Sequence, residues 1–311
     1  MPVPTTAEMA ARYRISDGRR FRLSEVDPAD QWGRKLKKIA DEMMKQGIKR
    51  LAMLQERLYA DNRWSLLLIF QAMDAAGKDG TIEHVMSGVN PQGCEVYSFK
   101  APSSEDLDHD FLWRTSKHLP RRGHIGIFNR SYYEETLVVR VHPNILKRQQ
   151  LPPALVTKNI WKERYEDINA FEKYLSRQAV VVKKFFLHVS RKEQRRRFLK
   201  RIEESGKNWK FSPTDVKERD YYDDYMKAYE DTIRNTATAW APWHVVPADR
   251  KWLTRLVVAA TVIDAIETID PRYPDVAPEV RAEFDRLKAE LEAEAAQEAA
   301  AKEKAKEKAK A

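Results

Sequence analysis

The segment SLLLIFQAMDAAGKDGTIEHVM (residues 65–86) carries the clearest indication of the fold of this chain. It begins with an apolar run, which predicts a buried strand, and continues through small residues to Gly77, Lys78 and a run of helical character. That order is typical of the phosphate-binding loop G-x-x-x-x-G-K-[ST], whose backbone N–H groups surround a phosphate at the start of a helix. Two positions depart from the motif, because Ala72 replaces the first glycine and Asp79 replaces the hydroxyl residue.

Two carboxylates suggest how this loop could function without the hydroxyl group. Asp74 lies inside the turn, and Asp79 follows the lysine. Because magnesium prefers oxygen ligands, aspartates beside a phosphate-binding lysine predict that the loop still binds a divalent cation. The alternative is an ordinary helix start, at which acidic residues interact favourably with the helix dipole. The loop alone is compatible with both interpretations.

Four further apolar runs indicate strands, and the segments between them have helical periodicity. Strands that alternate with helices predict an α/β fold, in which helices cover both faces of a mostly parallel sheet. The predicted strands are Ser65–Phe70, Cys94–Phe99, His124–Phe128, Ala179–Val189 and a run near Val245.

The composition indicates a charged globular protein that favours polyanions. A formal charge of +9 and a pI of about 9.4 point to nucleic acid, polyphosphate, nucleotides or an acidic membrane surface. The single cysteine, Cys94, excludes an intrachain disulfide and favours a cytosolic compartment. No apolar stretch approaches the roughly 20 residues that span a bilayer, and the N-terminus lacks the apolar core of a signal peptide. We therefore expect a cytoplasmic protein.

Changes in composition predict three parts of the chain. Residues 1–30 are polar and interrupted by prolines, which predicts an arm that lies on the domain or on a neighbour. Residues 31–275 contain the alternating strands and helices. Residues 276–311 are rich in Ala, Glu and Lys, and their apolar stripe soon fades. This composition favours a solvated, charged helix without a core of its own.

Polar residues elsewhere could complete a phosphate-transfer site. Asn129 and Arg130 follow a predicted strand, and ligands bind at the carboxyl ends of strands in open parallel sheets. Arg197 and Arg201 are four residues apart in a basic segment, so on a helix they would share a face and could close over a phosphate chain. The alternative for this segment is a solvated basic face or a nucleic-acid patch.

Six segments spread over most of the chain match one known family when taken together. They are MDAAGKDGTIEHVMSGVNPQG, SFKAPSSEDLDHDFLWRTSKHLP, IGIFNRSYYEETLVVRVHP, KFFLHVSRKEQRRRFLKRIEE, NWKFSPTDVKERDYYDDYMKAYE and APWHVVPADRKW. With these motifs the chain resembles the polyphosphate kinase 2 family, and within it the class III branch, which is associated with phosphorylating both nucleoside mono- and diphosphates. The resemblance implies a P-loop kinase-like, three-layer sandwich, similar to thymidylate kinase, with a helical lid at about residues 191–235.

The resemblance also implies roles for individual residues. A catalytic role is expected for Asp74, Lys78, Asp79, Arg130 and Arg201. Nucleotide or phosphate binding is expected for Gly77, Lys78, Asn129, Glu134, Glu135, Arg197 and Lys210. Metal binding is expected for Asp74 and Asn129. Asn129 departs from the aspartate more common in other branches, and an amide is the weaker metal ligand. Glu134 and Glu135 could instead stabilise a helix N-terminus.

The resemblance therefore predicts a kinase that transfers phosphoryl groups from inorganic polyphosphate to AMP and ADP, with GMP and GDP as further candidate acceptors. It implies Mg²⁺ as the cofactor, with Mn²⁺ as a candidate substitute, and a homodimer or homotetramer. Nucleic acid and membranes are not expected partners. The alternative within the same fold is an ATP-dependent nucleoside monophosphate kinase. A nucleic-acid-binding protein fits less well, because the aromatic segments DYYDDY and WAPWH do not form a basic–aromatic strip.

Overall fold

The computed structural model describes residues 3–308, apart from the side chains of Arg34, Lys207 and Lys210 and those of residues 303–308. The chain separates into two compact units, one that extends to Arg272 and one that begins at Tyr273. None of the described helices combines the length and the apolar character needed to cross a membrane.

One sheet forms the centre of the first unit. Its strands are β1 (Arg14–Ile15), β2 (Ser65–Gln71), β3 (Cys94–Ser98), β4 (Ile125–Asn129), β5 (Val180–His188) and β6 (Trp243–Pro247). Among the described residues the strand order is β1-β6-β5-β2-β4-β3, with β1 antiparallel to β6 and the other pairs parallel. The predicted α/β fold with a mostly parallel sheet is confirmed. The predicted strands occur within one residue of their expected ends, and β1 was not predicted.

Helices lie on both faces of this sheet. In chain order they are α1 (Thr6–Arg12), α2 (Arg34–Asp61), α3 (Lys78–Val85), α4 (Ser104–Asp108), α5 (Trp113–Ser116), α6 (Val138–Val141), α7 (Pro143–Arg148), α8 (Ile160–Arg177), α9 (Arg191–Glu203), α10 (Pro213–Lys217), α11 (Tyr222–Thr236), α12 (Lys251–Ile269) and α13 (Pro278–Lys308). One layer contains α12 packed on α1, α2 and α3, and the other contains α8, α11 and α6. Two neighbours in β5 distinguish the faces, because Lys183 lies near Asp264 of α12 whereas Lys184 contacts Glu172 of α8.

The central position of β2 determines where the site lies. Each residue from Leu66 to Phe70 is at most 1% exposed, as expected for a parallel strand covered on both faces. The chain leaves β2 toward β3 on one side and later crosses to β5 on the other. A strand with this position marks the switch point of the sheet, and ligands bind in the crevice beyond its carboxyl end. The loop from Ala72 to Gly77 occupies that crevice.

The N-terminal segment, the region expected to form a lid and the C-terminal helix differ in how much of their surface is packed. The N-terminal segment is part of the first unit, in which α1 packs on α12 and β1 pairs with β6. Within the region expected to form a lid, α11 packs on α8 and buries Tyr225, Tyr229 and Ile233, so its packing is that of a core helix. In the second unit, α13 leaves its apolar side chains Phe284 and Leu291 exposed.

Candidate active site

The phosphate loop turns sharply between β2 and α3. Ala75 has a φ of +63° and Gly77 has a φ of +101°, so the chain twice enters the left-handed region. Glycine meets this requirement without strain, whereas Ala75 adopts a conformation that side chains disfavour. No side chain caps α3, so the backbone N–H groups of its first turn can bind an anion at the mouth of the loop.

Lys78 extends back across the loop from the first turn of α3. Its side chain is buried, and Nζ donates to the carbonyl oxygen of Ala72 at 2.9 Å. Burial lowers the pKa of Lys78 and the charge of Arg130 lowers it further, while Asp74 and other nearby carboxylates oppose the change. An ammonium has three donors, so the contact with Ala72 leaves Lys78 capable of binding a phosphate oxygen as well.

Arg130 joins the phosphate loop to the motif that follows β4. Its Nη2 donates to Asp74 Oδ1 at 2.9 Å, and its Nη1 donates to Glu134 Oε2 at 3.1 Å. The charge of Glu134 is the main cause that raises the pKa of Arg130. Arg130 itself has a φ of +65°, a conformation that the surrounding contacts must hold. The structure thus brings Asp74 together with Arg130 and Glu134, which lie 56 and 60 residues further along the sequence.

Asp79 and Asn129 face each other across the mouth of the loop. Asn129 Nδ2 donates to Asp79 Oδ1 at 2.6 Å. Asp74, the expected metal ligand, accepts from Arg130 through one carboxylate oxygen. Among the described residues, no group of three or more His, Cys, Asp or Glu side chains could hold a metal. One or two carboxylates fit the way Mg²⁺ binds beside phosphates, because such sites use few protein ligands and the substrate's own oxygens.

A cleft of about 640 Å³ opens above this loop. Its cationic lining comes from separate elements and comprises Lys78, Lys100, Arg130, Arg201, Lys251 and Arg255. Lys100, Lys251 and Arg255 were not predicted as site residues. A signal was available, since Lys100 closely follows β3 and Lys251 and Arg255 begin the helix after β6, and these strands end at the same edge of the sheet as β2. Trp209 also lines the cleft.

The two arginines expected to act together on α9 lie in different places. Arg201 lines the cleft, and its Nη1 is 3.8 Å from Asp215 Oδ2. The guanidinium of Arg197 is buried behind the loop and donates to backbone carbonyl oxygens of Ala76 at 2.6 Å and Ala248 at 2.5 Å. Its Nε contacts Glu193 at 2.8 Å. Its hydrogen bonds therefore support the backbone of the loop.

The remaining residues expected to bind nucleotide or phosphate lie in different places. Glu134 adjoins the loop through Arg130, whereas Glu135 is directed to Arg164 Nε at 3.1 Å and Gln149 Nε2 at 2.7 Å. Burial raises the pKa of Glu135. The side chain of Lys210 lies outside the described residues.

Gln194 is a further residue in contact with the loop that the sequence analysis did not single out. Its Nε2 donates to the carbonyl oxygen of Asp74 at 3.1 Å, and its Oε1 accepts from Arg219. Its position three residues before Arg197 on α9 was the available signal, because residues three apart share a helical face.

Comparison with known proteins identifies the family of this chain. Residues 34–274 match the family model described as polyphosphate kinase 2. The chain is 48% identical to an ADP-polyphosphate phosphotransferase of Rhodopseudomonas palustris, over 90% of this chain and 97% of the relative. It is 40% identical to an AMP/ADP-polyphosphate phosphotransferase of Meiothermus ruber, over 88% of this chain and 97% of the relative.

A solved structure gives the same result for the fold. The polyphosphate kinase 2 of Arthrobacter aurescens TC1 superposes with a TM-score of 0.82 at 37% identity, covering 92% of this chain and 97% of that one. The expected P-loop kinase-like fold is therefore confirmed. Sequence and fold agree, and this chain belongs to the polyphosphate kinase 2 family.

Proposed function

We propose that this protein transfers a phosphoryl group from inorganic polyphosphate to AMP and ADP, with GMP and GDP as further candidate acceptors. The activities for which its relatives are named support a polyphosphate donor and nucleotide acceptors. The structural observation that carries the proposal is the cleft above the phosphate loop, where cationic side chains from five elements or loops converge. Convergent cations attract a polyanionic donor and neutralise charge during transfer.

The reaction is an in-line displacement at the terminal phosphorus of polyphosphate. An oxygen of the acceptor's phosphate forms the new bond to phosphorus, and the shortened polyphosphate leaves with the electron pair of the broken P–O bond. The acceptor's phosphate is already ionised at neutral pH, so the site needs no strong base. Asp79, at the mouth of the loop, or Asp74 orients the acceptor.

The loop and the arginines stabilise this displacement. The N–H groups at the start of α3 and the ammonium of Lys78 hold the transferring group. Arg130 and Arg201 interact with its oxygens as charge redistributes, since both line the cleft. Asp74 and Glu134 fix the guanidinium of Arg130 from two sides.

We propose Mg²⁺ as the cofactor, with Mn²⁺ as a substitute. Asp74 would hold the ion, with Asp79 and Asn129 close to the same mouth of the loop. When bound, the ion would offset negative charge shared by donor and acceptor.

We also propose that the protein acts in the cytoplasm as a homodimer or homotetramer and phosphorylates both mono- and diphosphates. Its single cysteine suits a reducing compartment. Light scattering of the purified protein tests the assembly, and a monomer at micromolar concentration would contradict it.

The decisive experiment supplies purified protein with AMP, Mg²⁺ and polyphosphate in the absence of ATP. We expect ADP and then ATP to form, whereas an ATP-dependent monophosphate kinase would form neither. Lys78→Ala should abolish product formation. The matched control is Lys162→Ala, which removes an exposed lysine of α8, side chain 76% exposed, and should leave the rate unchanged. Wild-type rates in Lys78→Ala would overturn the proposal.

A further inference from the structure

A fully buried ion pair lies beneath the motif that supplies Arg130 and Glu134. Lys184 of β5 and Glu172 of α8 are both 0% exposed, and Lys184 Nζ lies 2.6 Å from Glu172 Oε2. The other oxygen of Glu172 accepts from the hydroxyl groups of Tyr132 at 2.9 Å and Tyr133 at 2.8 Å. These tyrosines form the turn that directly follows Arg130 and Ser131 and that contains Glu134.

The hydrogen bonds around the pair match an ammonium and a carboxylate. Lys184 Nζ contacts Glu172, the hydroxyl of Tyr133 at 2.8 Å and the carbonyl oxygen of Thr236 at 2.8 Å. An ammonium has three donors, one for each of these partners. A carboxylate at Glu172 accepts from Lys184, Tyr132 and Tyr133. A charged pair therefore leaves no donor of Lys184 without a partner.

Stability alone does not explain such a pair. Removing two charges from water costs several kcal/mol per ion, so a buried ion pair is often no more stabilising than well-packed apolar residues of similar volume. What a satisfied buried network does provide is a unique arrangement of the groups that it joins. Here the joined groups are α8, β5, the end of α11 and the turn of Tyr132 and Tyr133.

The turn transmits this arrangement to the site through short covalent and hydrogen-bonded steps. Arg130 N donates to the carbonyl oxygen of Phe70 at 3.0 Å, which fixes the start of the turn on β2. Ser131 Oγ accepts from Tyr133 N at 3.1 Å, and Glu134 N donates to the carbonyl oxygen of Ser131 at 3.1 Å. The backbone of Arg130 is in the left-handed region, with a φ of +65°. A residue in this strained conformation keeps it only where the surrounding contacts hold it.

We propose that Glu172 and Lys184, acting through the hydroxyl groups of Tyr132 and Tyr133, are positioning residues that set the orientation of Arg130 and Glu134 for phosphoryl transfer. Aromatic contacts support the same arrangement. Tyr133 packs edge-on against Trp243, with 4.7 Å between the ring centroids, and Tyr132 packs edge-on against Phe171, with 5.6 Å between the ring centroids. The inference rests on the proposed function. Wild-type turnover with polyphosphate tests that function, and only the variants below test the positioning role.

The test is the double variant Tyr132→Phe/Tyr133→Phe, which keeps the rings and the ion pair but removes the two hydroxyl links. We expect kcat to fall about tenfold to a hundredfold at a temperature well below its melting midpoint, because small misplacements of a catalytic group have effects of that size. The KM values for ADP and polyphosphate should change less than twofold, because both substrates still meet the same charges in the cleft.

The matched control is Tyr13→Phe, which removes a buried tyrosine hydroxyl that donates to Asp30 Oδ2 at 2.8 Å in the N-terminal segment. It should lower the melting midpoint and leave kcat unchanged. A kcat within twofold of wild type in the double variant, or an equal fall in both proteins, would overturn the proposal. If the double variant does not fold, Tyr132→Phe removes one of the two links and leaves the Lys184–Tyr133 hydrogen bond in place. Its kcat should then still fall below that of Tyr13→Phe, and equal kcat values would overturn the proposal.

Discussion

Arg197 and Ala76 are joined by a hydrogen bond of 2.6 Å that links helix α9 to the backbone of the phosphate loop. The same guanidinium donates to the carbonyl oxygens of Ala75 at 3.1 Å and Ala248 at 2.5 Å. The loop therefore receives its shape from a side chain 121 residues further along the chain. A substitution that shortens this side chain should therefore alter the conformation of the loop, because Arg197 contacts the loop backbone directly.

Arg197→Lys tests this support directly. Lysine retains the charge but cannot reach several carbonyl oxygens in one plane, so we expect a loss of about 3 kcal/mol in the free energy of unfolding. Activity should fall with it. Urea unfolding measures the difference. Arg196→Lys is the control, because its side chain is 62% exposed and its pair with Glu193 is on the surface. Equal stability losses in the two variants would contradict the supporting role.

Gly77→Ala should distort the loop through the backbone rather than through a clash. A Cβ at this position would lie 3.6 Å from Arg197 Nη1, an ordinary contact, but φ is +101°. We expect a loss of stability of about 1–2 kcal/mol and a strong loss of activity. Gly80→Ala is the control, because a Cβ there meets nothing within 4 Å and alanine favours a helix interior. In thermal unfolding, the melting midpoint should fall in Gly77→Ala and should not fall in Gly80→Ala. Turnover should fall strongly in Gly77→Ala only.

Asn129→Asp should make the site more dependent on magnesium. The new carboxylate would face Asp79 where a hydrogen bond of 2.6 Å now lies. Mutual repulsion would raise the pKa of one carboxyl, so the variant should be less stable than wild type at pH 7 and similar to it at pH 4, where protonation removes the repulsion. Mg²⁺ should restore the melting midpoint at pH 7. Asn129→Ala should show no such rescue, and equal Mg²⁺ responses in the two variants would exclude the effect.

The lowered pKa of Lys78 predicts a weaker hold on polyphosphate in alkaline solution. Burial favours the neutral amine, so the ammonium should lose its proton at a lower pH than an ordinary lysine does. The affinity for polyphosphate should then decline as the pH rises, and the decline should begin below pH 10.5, the ordinary pKa of lysine. Titration calorimetry at a series of alkaline pH values measures this affinity. In Lys78→Arg the charge persists, so an identical alkaline decline in that variant would assign it to another group.

Much of the fold could be predicted because its signals are local. The run from Leu66 to Phe70 is apolar throughout, which is the pattern of a strand buried on both faces. Gly77 and Lys78 follow at the spacing of a phosphate loop, and Asn129 and Arg130 follow a second strand. By contrast, β1 escaped prediction because a two-residue strand has no periodicity, and it exists only through pairing with β6.

The succession of strands and helices along the chain and the loop around Lys78 could therefore be predicted from local sequence, because backbone preference and apolar spacing act between near neighbours. The partners of the long charged side chains became apparent only in the folded protein. Arg197 and Arg201 are four residues apart on one helix, yet one supports Ala76 and the other lines the cleft. Glu134 and Glu135 are adjacent, yet only Glu134 binds Arg130. A buried charge must lie where partners can compensate for lost water, and those partners come from distant parts of the chain.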